Sequence, residues 1–310
     1  MSNNLNQNRV RKAVNDMTNY KVLKIWTGSG RGSFATLSRL PSHVGSNKPN
    51  FVIKWGPPAS GKGSEAVRNV IASLGWPLDT YVNFNIDDIV EATNYFKEES
   101  NRRARNYLAR AGVVNTQNEN KVVEALNNIK QNNAIKIGKA YSQIRNGVGA
   151  SGKLSAKLNL FLENAINLRK NITFETTGMN GFPDWLLTKR GLSGKNYNIH
   201  IIFPLVPFNV TWERYRRRAA QMLIRGKGFR FASWKDNAIK QYQQSYDSFI
   251  KWITTVRETE DLQLQTITVI PFNGRPIKYI KSGRRGLRSE NIVPIRAAVA
   301  NFRNSSTAIN

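Results

Sequence analysis

The chain contains no cysteine and only two histidines, His43 and His200. Disulfides and thiolate metal sites are therefore excluded, and a zinc centre built from His and Cys has too few donors. Stability has to come from packing. Acidic residues are scarce as well, with 20 Asp and Glu against 47 Lys and Arg. No stretch approaches the roughly 18 uninterrupted apolar residues that a membrane span requires. The Asn-rich start, residues 1–8, carries no apolar signal region. A soluble, unsecreted protein without membrane contact is expected, cytoplasmic or associated with nucleic acid inside a particle. Internal repeats are also lacking.

What is present suffices for a core: 310 residues at 40% hydrophobic content can form one large domain, or a domain with substantial appendages. The formal net charge of +27 makes a field that attracts polyanions, so nucleic acid, a nucleotide or a phosphorylated partner is favoured. A solvated basic surface with no specific partner has the same composition, so charge alone names no ligand.

Residues 1–50 mix Asn, basic residues and Gly/Ser clusters at 27–33 and 42–50 around short apolar runs such as 22–26. They read as a basic arm of low order with room for one strand. Residues 51–55 are mostly apolar, broken by Lys54 and ended by Gly56, Pro57 and Pro58, which fits a buried strand feeding a tight loop. Similar runs at 81–85, 171–174, 199–205 and 265–270 are separated by helical patterns at 62–74, 89–99, 121–145, 154–169, 208–224 and 235–254. Alternating strands and helices predict an α/β fold with a mainly parallel sheet flanked by helices. The implied organisation is a basic N-terminal arm (1–50) and a P-loop kinase-like domain (51–271) with a helical insertion at about 100–170. A basic C-terminal tail (272–310), rich in Gly and Arg, completes it, the alternative being a strand and a helix docked on the core, for which 277–280 and 295–299 offer apolar material.

The run Gly56, Pro57, Pro58, Ala59, Ser60, Gly61, Lys62, Gly63, Ser64 follows a predicted strand and opens a predicted helix. In that context it reads as a phosphate loop: backbone amides and the helix N-terminus make an anion nest, and Lys62 reaches the β- and γ-phosphates of a nucleotide. The plainer reading is a Gly/Pro turn before a helix. Ser or Thr usually follows the lysine directly, because its hydroxyl binds magnesium. Here Gly63 intervenes, and Ser64 is the candidate metal ligand. The Gly-Lys-Gly-Ser order resembles that of nucleoside monophosphate kinases. ATP and magnesium are the expected cofactors.

Ligands of open α/β sheets bind outside the carboxyl ends of the strands, and the second predicted strand ends in Asn85, Ile86, Asp87, Asp88. Phosphoryl transfer needs a carboxylate to orient the acceptor hydroxyl and take its proton. Asp87 is assigned as that base and Asp88, on the substrate side, as the N-cap of the next helix; the alternatives are the reverse division and a pair that only caps the helix. The third strand leads into Glu175, Thr176, Thr177, Gly178, which brings a carboxylate and two hydroxyls to the same edge, with Glu175 and Thr177 as candidate substrate contacts. Glu175 could also be an ordinary residue of a solvated loop. The helix at 208–224 carries Trp212, Tyr215, Ala219 and Met222 on one face and Arg214, Arg218, Gln221 and Arg225 on another, followed by Lys227 and Arg230. This is the pattern of a cationic lid over phosphates, or of a basic exposed face.

Together these motifs, from Gly56 to Thr254, resemble the zeta-toxin family of P-loop kinases. Asp87 falls on that family's catalytic aspartate. The stretch Glu175, Thr176, Thr177, Gly178 looks like its Glu-Gly-Thr-Gly segment, and Glu213, Arg214, Tyr215 looks like the start of its lid helix. Arg230, Phe231, Ala232, Ser233 is similar to its second lid arginine with the residues that follow. The resemblance implies that Arg214 and Arg230 bind phosphates and that Glu175 lies by the acceptor. Gly63 stands where that family has Thr, and Met179 where it has Arg. Residues 81–88 also look like the matching segment of phage-type polynucleotide 5′-kinases, but Val90 and Glu91 offer no Arg three residues beyond the first Asp.

The expected function is an ATP-dependent phosphotransferase acting on a hydroxyl of a small molecule such as a nucleotide sugar. The alternatives are a polynucleotide 5′-hydroxyl kinase and a non-catalytic basic nucleic-acid-binding or particle protein on a P-loop scaffold.

Overall fold

A computed structural model describes residues 7–10, 12, 22–25, 33–36, 41–43, 48–146, 154–179, 192, 194–231, 233–255, 264–280 and 289–305. Ala232 and the stretch Lys281 to Arg288, both used above, lie outside the described residues. The chain forms two compact units.

The first unit (Lys21–Phe84, Leu162–Thr211, Lys240–Asn310) holds an eight-stranded sheet of order β2-β1-β4-β5-β3-β6-β7-β8. Its strands are β1 (Val22–Ile25), β2 (Ser33–Thr36), β3 (Asn50–Trp55), β4 (Tyr81–Phe84), β5 (Asn171–Thr176), β6 (Asn198–Leu205), β7 (Leu264–Pro271) and β8 (Ile277–Ile280). The run from β4 through β5, β3 and β6 to β7 is parallel, as the alternating pattern predicts. The central strands carry apolar residues on both faces because helices cover both. On one face Val52 packs with Val67 and Ile71 of helix α1 (Glu65–Ala72) and with Tyr81, Ile202 and Ile270. On the other, Trp55 and Phe203 meet Phe249, with ring centroids 5.3 and 4.3 Å apart.

Two expectations about the termini are corrected. Residues 1–50 supply two strands, not one: β1 and β2 pair antiparallel, and β1 extends the sheet alongside β4. The C-terminal segment, expected as a basic tail, instead follows its alternative reading and supplies β8, antiparallel to β7, and helix α9 (Ser289–Ser305). The physical reason lies in sparse but well-spaced apolar residues: Tyr279, Ile295 and Val299 are buried among the basic ones.

The second unit (Met1–Tyr20, Asn85–Phe161, Trp212–Ile239) is helical. It contains α2 (Ile86–Ala92), α3 (Asn94–Arg110), α4 (Glu119–Asn127) and α5 (Gln131–Asn146). It also holds parts of α6 (Leu154–Asn167), α7 (Phe208–Ile224) and α8 (Lys235–Thr255). Two predicted helices are each split. Thr93 takes an extended backbone between α2 and α3 and accepts from the Phe96 amide, so a capping hydroxyl divides the periodic run. Asn128 ends α4 differently, its backbone amide donating to the Leu126 carbonyl, before α5 restarts at Gln131. α3 and α5 pack through Phe96 and Tyr141, 6.4 Å apart edge to face, and through a 3.1 Å bond from the Tyr95 hydroxyl to Gln143. Among the described residues no helix is long and apolar enough to cross a membrane.

Candidate functional site

In the sheet unit the direction of chain connection reverses beside β3: β3 leads to β4 on one side, and β6 leads to β7 on the other. Ligands of open α/β sheets bind at such a switch point, at the carboxyl ends of the strands. The loop Gly56 to Ser64 stands there. It turns through positive φ at Gly56 (154°), Ala59 (60°) and Gly61 (84°). At Gly56 a side chain is excluded twice, since an added Cβ would also sit 2.8 Å from the Ser60 hydroxyl. Ser60 is buried, and among the described residues its Oγ has no hydrogen-bond partner. Buried hydroxyls normally find one, so the orphan fits a loop shaped to receive an acceptor such as phosphate.

Helix α1 begins at Glu65, three residues later than the sequence predicts, because Ser64 is its N-cap and accepts from the Val67 amide at 3.4 Å. The hydroxyl assigned to magnesium is thus also a structural cap, leaving its proton and a second lone pair for a ligand. Gly63 answers no steric demand, for a Cβ there would meet nothing within 4 Å.

Lys62 is buried and donates from Nζ to the carbonyls of Gly56 at 2.6 Å and Pro57 at 2.9 Å. Its Nζ is also 3.8 Å from Glu175 Oε1. Glu175 lies within β5, not beyond it, directly opposite Lys54 of β3. Pairing with β3 carries β5 on to Thr176, and the Thr176 carbonyl accepts from the Gly56 amide at 3.2 Å. Thr177 is half-buried, and its carbonyl accepts from Ser245 of α8 at 2.6 Å. Gly178 follows at φ 62°, pressed so close to Trp55 that a Cβ would lie 1.7 Å from its indole nitrogen.

In the helical unit the expected capping is corrected. Asn85, not Asp88, is the N-cap of α2, and its Oδ1 accepts from the Asp87 amide at 3.0 Å. Asp87 and Asp88 both sit in the first turn, where carboxylates favour the helix dipole. Asp88 is half-buried. Asp87 is engaged on both oxygens: Tyr141 donates to Oδ1 and Arg230 to Oδ2. Arg230 also donates to Glu91 at 2.8 Å, and Glu91 in turn is 3.1 Å from Arg218. Burial disfavours the Arg230 cation, but the Asp87 and Glu91 carboxylates outweigh that and hold its pKa above the ordinary arginine value. Burial, with Asp87 second, pushes the Tyr141 phenol up.

On α7, Trp212 and Ala219 are buried as expected, with Tyr215 stacked 4.9 Å from Phe231. The basic face is partly ion-paired, Arg218 reaching Glu91 at 3.1 Å. Arg214 is exposed. The structure thus brings Lys62 together with Glu175, and Asp87 together with Arg230. Sequence reasoning missed Lys54, Tyr141 and Glu91. Lys54 left a signal, as a charge interrupting a buried strand; Tyr141 left none, since its partner is 54 positions away.

No known family model matches the chain, and no curated protein matches it. Among solved structures the chain is similar to one from work on the PezAT chromosomal toxin–antitoxin system of Streptococcus pneumoniae. The identity is 12%, the alignment covers 87% of this chain and 91% of that one, and the TM-score is 0.43. Likeness of that degree carries no argument here. The P-loop architecture rests on the parallel sheet, its switch point and the loop geometry.

Proposed function

We propose that the protein is an ATP-dependent phosphotransferase that moves the γ-phosphoryl group of magnesium-bound ATP to a hydroxyl of a small molecule, nucleotide sugars being the first candidates. The observation that carries this reading is the loop Gly56 to Ser64 at the carboxyl end of β3. It combines positive-φ turns, an unpartnered buried hydroxyl and a buried lysine folded over its carbonyls.

In this reading the loop amides and Lys62 hold the β- and γ-phosphates. Among the described residues no group of three or more His, Asp or Glu could hold a metal. The fit to magnesium therefore resembles sites in which one protein oxygen, here Ser64 Oγ, joins the donor's own phosphates. Magnesium bound there would neutralise charge on the bridging oxygens. Asp87 takes the acceptor's proton as the hydroxyl oxygen bonds to the γ-phosphorus and the bond to ADP breaks. Asp88, Glu175 and Thr177 orient the acceptor. Arg230 and Arg214 compensate the migrating charge, Arg230 exchanging its carboxylate partners for phosphate.

A second reading is favoured by one observation, the net charge of +27. It makes a 5′-hydroxyl polynucleotide the acceptor, or nucleic acid a partner of the basic surface independent of catalysis. Incubating the protein with labelled ATP and magnesium against nucleotide sugars, nucleosides and 5′-hydroxyl oligonucleotides tests both. Label on a small acceptor supports the first, label on the oligonucleotide the second, and transfer to neither removes the enzymatic reading.

A further inference from the structure

Lys54 is 1% exposed, in the middle of a parallel sheet, where an ammonium group is ordinarily excluded. Its side chain projects on the face that also carries Val52 and Asn50, by the two-residue period of the strand. Nζ donates to Asn83 Oδ1 at 2.8 Å and lies 3.5 Å from Glu175 Oε2. Asn83 is fixed in turn, because its Oδ1 also accepts from Thr173 at 2.8 Å. Asn83 and Thr173 are themselves directly opposed on β4 and β5, as Lys54 and Glu175 are on β3 and β5. One rigid three-strand framework therefore sets the position of the Lys54 ammonium.

Glu175 is shared between two lysines, Oε2 facing Lys54 and Oε1 facing Lys62. The two are not equivalent. Lys62 belongs to the phosphate loop and must turn to the ligand, whereas Lys54 is held by Asn83 and stays. Once Lys62 is drawn to phosphate, the Glu175 carboxylate stands beside the bound anion, and the Lys54 ammonium next to it offsets their repulsion.

We propose that Lys54 is a positioning residue of the phosphate site: it keeps Glu175 oriented and electrically compensated, so that Lys62 is released to the nucleotide and the loop retains a net positive charge. The inference deepens the reading above and rests on it. Replacing Lys54 by a neutral residue removes one positive charge from beside the loop and from Glu175.

The test is the affinity for magnesium ATP, measured by calorimetry on the full chain, without reference to any acceptor. Lys54→Met and Lys54→Gln are each expected to weaken binding by about tenfold, the scale of one charge acting over several ångströms in a partly screened site. Glu175→Gln binds at least as tightly as the unaltered protein. The double change Lys54→Met with Glu175→Gln restores the net charge and returns affinity to within about threefold of the starting value. Urea unfolding of the same variants separates a merely structural role, in which affinity would be lost and restored only together with folding stability, from positioning, in which affinity changes while the chain remains fully folded. Affinity unchanged in both Lys54 variants, or a double variant as weak as Lys54→Met, overturns the inference and leaves the phosphotransferase reading standing. No binding by the unaltered protein overturns both.

Discussion

At the scale of single residues, the proposed chemistry would draw on groups that already have partners within the protein. Lys62 rests on two loop carbonyls, and Asp87 on Tyr141 and Arg230. Replacing Lys62 by Ala is expected to lower phosphoryl transfer by at least about 100-fold, the loss typical of a preorganised charge donor. The fold, followed by circular dichroism and thermal melting, should persist. Asp87→Asn keeps the shape of the side chain but is a far weaker base. ATP binding should survive while transfer falls by about 100- to 10,000-fold, as for loss of general base catalysis. Retained turnover in either variant, read with labelled ATP, would remove that residue from the mechanism. Gly178 is a different case, constrained by space. Its positive φ and the Trp55 ring both exclude a Cβ, so Gly178→Ala should destabilise the protein by about 1–3 kcal/mol, measured by urea unfolding. These motif residues were legible in the sequence because glycines, a lysine and carboxylates fall at informative places along the chain. Their partners were not, because Lys54 with Asn83 and Asp87 with Tyr141 meet only across the fold.

At the scale of elements, the sheet is held by polar as well as apolar contacts. His200 of β6 is buried, with Nδ1 2.9 Å from Thr266 Oγ1 of β7 and Nε2 3.4 Å from Asn50 Oδ1 of β3. Burial, and then Lys278, lower its pKa to about 4 from 6.5. His43, the other histidine, is shifted downward too, by burial first and then by Arg169 and Lys170. A depressed histidine pKa means that the unfolded chain binds the proton first as pH falls through 6.5. Folding stability is therefore full above that value and declines on acidification towards pH 4, by up to about 3 kcal/mol for His200. Urea midpoints measured between pH 7 and 4.5 should show the decline, and His200→Gln should remove the larger part of it. An equal pH slope in the variant would place the sensitivity elsewhere. Strand and helix cores follow their apolar runs closely: α7 spans Phe208–Ile224 as the pattern predicts. The helix breaks at Thr93 and Asn128 depended on which capping groups the folded chain used, and periodicity does not reveal that choice.

At the scale of the whole molecule, part of the charge of +27 is borne by folded elements, α9 among them. Deleting residues 273–310 would strip β8 and α9, and with them the buried Tyr279, Ile295 and Val299. Each such side chain contributes about 1.5–3 kcal/mol, so truncation should depress the unfolding midpoint and is a poor probe of charge alone. The full chain is the better reagent. Filter binding to DNA and RNA should show affinity that falls steeply with salt and varies little with sequence, since phosphate contacts release counterions. A flat salt dependence would mean that the excess charge serves solubility and not a polyanionic partner.

The sequence by itself determined the α/β class, the strand and helix order of the core, and the place of the Gly56–Ser64 loop between β3 and α1, because each is written in residues adjacent along the chain. Periodicity, Gly/Pro punctuation and the spacing of Gly56, Gly61 and Lys62 are local signals. Only the tertiary structure decided that β1, β2 and β8 complete the sheet and that Glu175 is shared by Lys54 and Lys62. It alone decided, too, that Asp87 is held by Tyr141 and Arg230. Edge strands gain their stability from the neighbour they pair with, and a buried charge from the partner that compensates it. Both depend on groups brought together by folding across long separations, such as the 121 positions between Lys54 and Glu175.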